Sequence, residues 1–365
     1  MTSFFSQCYT VSMKCLFPFF CVCIAFSISV WAETTQTTVS AGTAPVVTTN
    51  MTYPCGRQPK QVLFSPDGAV IVLPLLDDTG FQVLSVTGDK TPLLIQPPRS
   101  DKRGFAEGLF IPGKSAFFVS QMTTGHIYEY TYPGFKYRRE IACGGEWPKF
   151  IAWSSDTELL AVSNWISNTV SLIDYTTGAV VRVFKTKAAP RGLAFTEKGS
   201  AIIVLCFDGG VIQKFKTDTG TLSSVIPIEK SALRHIVVNR DETAAYISDM
   251  YHATVYRLDL ALFKITATYH VFNNPNTIAL YKDRYLFVSC RGPNNKEDYT
   301  KRSPVNGKIM CIDTQTGASV CTIPGGNQPT GLGVSPDGTM LCFSNFQDAD
   351  IELCTLDGNA CTAAQ

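Results

Sequence analysis

The sequence has little charge, and less still of one sign. Of its 365 residues only 17% are charged, and 31 Lys+Arg against 30 Asp+Glu leave a formal net charge of +1. No long basic tract is present, so bulk charge gives no support to nucleic-acid binding and no nucleic-acid partner is expected. Sparse charge beside 45% hydrophobic residues excludes a disordered chain. Histidine is scarce, at His126, His235, His252 and His270. A Gly-x-Ser-x-Gly elbow, a His-Glu-x-x-His motif and a phosphate loop are all missing. Cys-x-x-Cys and Cys/His zinc spacings are missing too, so neither a structural metal nor a cofactor is expected. His235 is the sole candidate for an axial haem ligand.

Apolar runs long enough to span a membrane are absent beyond the first segment. Residues 1–32 carry one charge, Lys14, before an apolar run that ends at Val30-Trp31-Ala32. That pattern predicts a secretory signal peptide cut before Glu33. An uncleaved anchor is the alternative, although Pro18 interrupts the run and the run is short for a span. The chain is therefore expected to be exported, to the periplasm, the cell envelope or the medium, with no transmembrane segment after cleavage. Residues 33–45 are Thr-rich and read as a flexible lead-in.

What is abundant is turn and strand chemistry. There are 27 Gly and 20 Pro among many Val, Ile, Thr, Phe and Tyr. A Pro-like position before an apolar strand recurs seven times. The copies are Gln58-Pro59-Lys60, Phe105-Ala106-Glu107, Trp147-Pro148-Lys149, Ala189-Pro190-Arg191, Ala232-Leu233-Arg234, Asn274-Pro275-Asn276 and Gln328-Pro329-Thr330. Their spacings of 47, 42, 42, 43, 42 and 54 suit a four-stranded propeller blade rather than a solenoid of single strands. Each copy runs strand, polar turn, strand, loop, strand, Gly-containing turn, strand. The sequence therefore predicts an all-β, seven-bladed β-propeller over residues 46–361 with four antiparallel strands per blade. The repeats lie near 58–96, 104–143, 146–186, 188–228, 231–271, 273–325 and 327–357. The last copy supplies only three strands, so residues 46–53 are predicted to be its outer strand and to close the ring.

Val162-Ser163-Asn164, Asn168-Thr169-Val170-Ser171-Leu172-Ile173-Asp174, Val288-Ser289 and Ser335-Pro336-Asp337-Gly338 resemble the YVTN family of seven-bladed propellers. More loosely, they resemble the exported YncE-like group. The resemblance covers about residues 58–359. It implies the fold and leaves function open, because that scaffold hosts binders, lactonases and haem enzymes alike. Blades one, two and four depart most from the Ser-Asn signature.

Residues that follow the aligned Pro are expected to face the mouth of the central channel: Lys60, Glu107, Lys149, Arg191, Arg234, Asn276 and Thr330. Four cations and one anion would concentrate an anionic ligand. Solvated loop charge, or pairing of Glu107 with a neighbour, is the bland alternative. Loops between second and third strands bring Asn164 and Trp165, Asp208, Asp249-Met250-Tyr251-His252, Arg291 and Asn345-Phe346 to the same face. Of these, Trp165, Tyr251, His252 and Arg291 join the candidate ligand-binding set. Insertion 292–305 beside the mouth reads as a lid, a docking loop or a plain elaboration. For the cysteines, Cys311 with Cys321, and Cys342 with Cys354, are candidate disulfides; buried free thiols are the alternative.

Three functions follow. The first is an exported propeller that binds a small-molecule or protein ligand at the mouth without catalysis. The second is a lactonase-like hydrolase using His235, His252, Glu107 and Arg191. The third is a cell-envelope interaction scaffold.

Overall fold

The computed structural model describes residues 44–98, 101–298 and 301–357. The expected signal peptide, nearly all of the Thr-rich lead-in, and Cys361 lie outside the described residues. Among the described residues twenty-eight strands form seven sheets of four antiparallel strands each, and the one helical element there is a single 3-10 turn at Pro112–Lys114. The innermost strands, in blade order, are Leu63–Phe64, Phe105–Ile111, Pro148–Ser154, Pro190–Thr196, Leu233–Val238, Pro275–Tyr281 and Pro329–Val334.

Burial explains the strand patterns. Second strands such as Leu159–Asn164 and Ala201–Cys206 are covered on both faces by neighbouring blades, so they read as nearly unbroken apolar runs. Outer strands such as Val180–Lys185 have one covered face. There Phe184 points in while Val181 and Val183 point to solvent. Tight Ser-Pro-Asp-Gly turns join first and second strands. At Ser65-Pro66-Asp67-Gly68 the Ser65 hydroxyl donates to Asp67 at 2.7 Å, and Gly68 takes a φ of 71° that an L side chain resists.

Closure is direct. The strand Val46–Pro54 lies antiparallel against Asp350–Asp357, pairing Val46 with Asp357 and Pro54 with Asp350 around one bulge. Seven apolar clusters sit one at each junction between consecutive blades. One of them joins Cys342 and Ile351 of the last blade to Val62, Ile71 and Leu73 of the first. Joining both chain ends in one blade leaves no open junction in the ring.

The Ser of the Ser-Asn signature has a structural task. Ser120, Ser163, Ser248, Ser289 and Ser344 each donate to a backbone carbonyl of the next blade, namely that of Lys149, Arg191, Asn276, Thr330 and Pro59, at 2.7–3.1 Å. The same hydroxyls accept an N–H from their own inner strand, from Glu107, Phe150, His235, Thr277 and Gly331. Five of the seven junctions are clasped in this way. Blade two belongs with them through Ser120. Blades one and four place Pro74 and Leu205 at the equivalent position and lack the clasp.

Cysteine pairing separates into two cases. Cys311 and Cys321 are directly opposed across one hairpin, and both thiols are free. Cys342 pairs in register with Leu353, and Cys354 with Leu341. An offset of one residue turns Cys342 and Cys354 to opposite faces of the sheet. They accordingly join different clusters, on either side of the last blade. The expectation of a Cys342–Cys354 disulfide is corrected on that ground: the pleat points the two thiols apart.

Candidate functional site

The mouth is built by one repeated backbone contact. In every blade a carbonyl at the entry to the first strand accepts an N–H from the loop between second and third strands. In six blades it belongs to the residue before the aligned position, and in the second to Gly104. Phe105 rather than Ala106 is therefore the Pro-like residue there, and Glu107 stands level with Phe150 instead of Lys149. The donors are Leu76, Met122, Trp165, Phe207, Met250, Arg291 and Phe346, and the acceptors Gln58, Gly104, Trp147, Ala189, Ala232, Asn274 and Gln328. The five acceptors that directly precede Pro (Gln58, Trp147, Ala189, Asn274 and Gln328) hold a φ of 55–60°. This contact brings the seven loops to one face, beside the residues that follow the aligned position.

Six of the predicted residues converge there. Glu107 is 3% exposed and bonds Arg191, itself 2% exposed, from two blades away. Arg234 approaches the same carboxylate at 3.5 Å. Lys60 is surrounded by Arg234, Arg291, Arg191 and Lys149, and Lys149 by Arg191 and Arg234. Five cations from five blades thus face one carboxylate. Aromatic faces hold the outer ones. Lys149 lies 5.1 Å from the ring centres of both Trp147 and Trp165, and Trp165 packs on Phe207. Lys60 and Arg291 share the ring of Phe346, at 5.1 and 5.2 Å. Arg291 also bonds Gln328.

Charge crowding shows in the proton affinities. Burial pushes both Lys60 and Lys149 well below the ordinary lysine value, and the neighbouring cations push the same way. Burial lowers His235 to about 3, so this imidazole is neutral. Burial raises the Glu107 carboxyl, but Arg191 and Arg234 outweigh it and hold the group below its usual range, ionised. Several buried polar atoms are left over. Arg191 Nη1, Arg234 Nη2 and His235 Nδ1 have no hydrogen-bonding partner. Unmade hydrogen bonds at buried charged groups are costly, and native structures rarely keep them without a ligand, an ion or water.

The other expected residues are placed differently. Asn276 is buried, with Nδ2 near the Met250 sulfur and Oδ1 unpartnered. Thr330 turns its hydroxyl back onto the Gln328 carbonyl. Tyr251 is 63% exposed and stands edge-on to His252, whose Nδ1 lies 2.6 Å from Asp249. Tyr256 donates to the same Asp249 oxygen at 3.1 Å. His252 is thus engaged by an aspartate of its own blade, whereas His235 packs edge-on against Phe150 at 5.5 Å. Insertion residues 301–303 dock on the loop that enters the last blade. Ser303 N–H donates to Asn327, and Gln328 Nε2 donates to the Lys301 carbonyl at 3.2 Å.

Trp147 and Gln328 belong to this site and are missing from the candidate set, while Phe346 was placed at the mouth face only with its loop. The signal for Trp147 and Gln328 was their position just before the aligned Pro. That for Phe346 was its loop. Among the described residues no group of three or more His, Cys, Asp or Glu side chains is arranged to hold a metal ion. A separate cleft of about 530 Å³ lies on the outer part of the second blade, where Asp101, Lys102, His126 and Glu140 mix both signs of charge.

No protein-family model matches the chain. Antigen Lp49 of Leptospira interrogans serogroup Icterohaemorrhagiae serovar copenhageni (strain Fiocruz L1-130) is similar to it. The two are 36% identical over 318 residues, which cover 84% of this chain and 69% of the relative. On that identity and coverage, this seven-bladed propeller belongs to the family of Antigen Lp49.

Proposed function

We propose that this protein is an exported, YVTN-like propeller that binds an anionic ligand at the mouth of its central channel and does not transform it. One observation carries the reading: buried nitrogens of Arg191, Arg234 and His235 stand unpartnered in a cluster of five cations and a single carboxylate. Such a cluster is stabilised by an anion that the chain itself does not supply. A relative named as an antigen is in keeping with export. Among the described residues no helix is long and apolar enough to cross a membrane.

Binding is favoured over hydrolysis by the same groups. Glu107 is tied to two guanidiniums and His235 is held neutral, so neither is poised to exchange a proton near neutral pH. The test is thermal unfolding at constant ionic strength with a panel of sodium salts. Polyatomic anions should raise Tm relative to chloride, and Arg234→Met should abolish the difference. Equal Tm in every salt would remove the reading. Turnover of an ester or lactone that depends on His252 would replace it with the hydrolase.

A further inference from the structure

We infer that the mouth takes a tetrahedral, multiply charged oxyanion, a phosphate or sulfate group either free or as a monoester. This rests on the anion-binding reading above and narrows the ligand class.

Charge comes first. Arg191 and Arg234 meet Glu107, and Arg291 stands beside Arg234 and Lys60, so even with both lysines uncharged three guanidiniums against one carboxylate leave two formal positive charges in excess. A monoanion leaves one of them unbalanced in a setting where water is largely excluded. A dianion cancels the excess. Coulomb attraction at short range in a partly buried site is far stronger than in bulk water, so the second charge matters.

Geometry points the same way. The cations come from five different blades around one axis, so their donors converge from several directions instead of lying in one plane. A carboxylate is planar and is matched by one bidentate guanidinium. Glu107 meets Arg191 through one bond, from Nη2 to Oε1, and leaves Nη1 unmet. Arg191 Nη1, Arg234 Nη2 and His235 Nδ1 remain, and each sits on a side chain more than nine-tenths buried. The ammonium groups of Lys60 and Lys149 contact aromatic rings and make no hydrogen bond among the described residues. Three or four oxygens arranged tetrahedrally accept from donors on different sides at once, whereas two coplanar oxygens leave some unmet.

A consequence separates this class from weaker anions. Burial, then the surrounding guanidiniums, disfavour the charged forms of Lys60 and Lys149 in the empty site. The groups facing them are Arg191, Arg234, Arg291, Glu107 and the rings of Phe346, Trp147 and Trp165. A dianion reverses part of that penalty, so sulfate binding draws protons onto the lysines. Sulfate itself has no proton to exchange near neutrality, so any uptake belongs to the protein.

The experiment is isothermal titration calorimetry on the folded protein at fixed ionic strength. Probes are sodium sulfate, sodium phosphate, methyl phosphate and sodium acetate, in buffers of different ionisation enthalpy between roughly pH 6 and 9. Sulfate and phosphate should bind at least about tenfold more tightly than acetate. Sulfate should bind with net proton uptake that falls in Lys60→Met and in Lys149→Met, two variants whose Tm is recorded alongside. Tighter methyl phosphate assigns the site to an organic ester, and tighter free ion to the inorganic group. Acetate binding as tightly as sulfate overturns the assignment while leaving an anion site standing. No binding by any probe overturns both.

Discussion

Glu107→Gln is the sharpest perturbation of the mouth. It keeps the shape of the side chain and removes the one carboxylate that faces Arg191, Arg234, His235 and Lys60. Removing one partner of a buried ion pair costs about 3–5 kcal/mol, because the surviving charge stays buried and unpaired. Glu107 and Arg191 are both almost fully enclosed, so solvent screening discounts this little. A chain of this size shifts its Tm by a few degrees per kcal/mol, so the loss is well within reach of measurement. The assay is urea unfolding in a chloride buffer and again with sulfate at equal ionic strength. The variant should lose about 3–5 kcal/mol in chloride. Sulfate should restore part of it, about 2.7 kcal/mol at a hundredfold excess over its Kd. Adding Arg191→Met to the variant should cost less than the two changes summed, since the stranded guanidinium is then gone. A Glu107→Gln protein as stable as the parent, and equally indifferent to sulfate, would refute the claim that this carboxylate is the resident counter-ion.

Other outcomes follow from the same contacts. Stability should fall as pH drops from the ordinary histidine value toward about 3. Burial keeps folded His235 unprotonated where the unfolded chain takes up a proton, and Glu107, depressed in the fold, adds a loss of the same sign at lower pH. Toward alkaline pH stability should rise as Lys60 and Lys149 pass through their lowered values, and a pH series of urea midpoints reads both limbs. Ser163→Ala should cost about 1–3 kcal/mol, because the Phe150 N–H and the Arg191 carbonyl lose their shared partner. Deleting residues 46–54 should abolish cooperative unfolding and promote aggregation, seen by light scattering, since it bares the edge of Asp350–Asp357.

Much of the architecture was legible because it repeats. A Pro-like position every 42 or so residues fixed the number of blades. The missing fourth strand of the last copy pointed to residues 46–53, one residue short of the observed Val46–Pro54. The residues after the aligned Pro were readable as mouth-facing for the same reason, and Lys60, Lys149, Arg191 and Arg234 do gather there. Contacts between blades were not legible. Glu107 meets Arg191 from 84 residues away, a distance that no periodicity within one repeat encodes. The Ser-Asn signature was visible as a pattern, but its meaning is a hydrogen bond to the next blade, which explains why Ser120 serves without a following Asn. Cys342 and Cys354 looked alike on neighbouring strands. Only the register, offset by one residue, shows that they face apart. His252 was legible as a rim residue, whereas its Asp249 partner was named only as part of the same loop.

The most direct test is diffraction from crystals grown with selenate, a heavier stand-in for sulfate whose selenium scatters anomalously. The account predicts an anomalous peak within hydrogen-bonding distance of Arg191, Arg234 and His235, lost in Arg234→Met crystals. Anomalous signal confined to the outer surface, with those three side chains unmet by any anion, would contradict it.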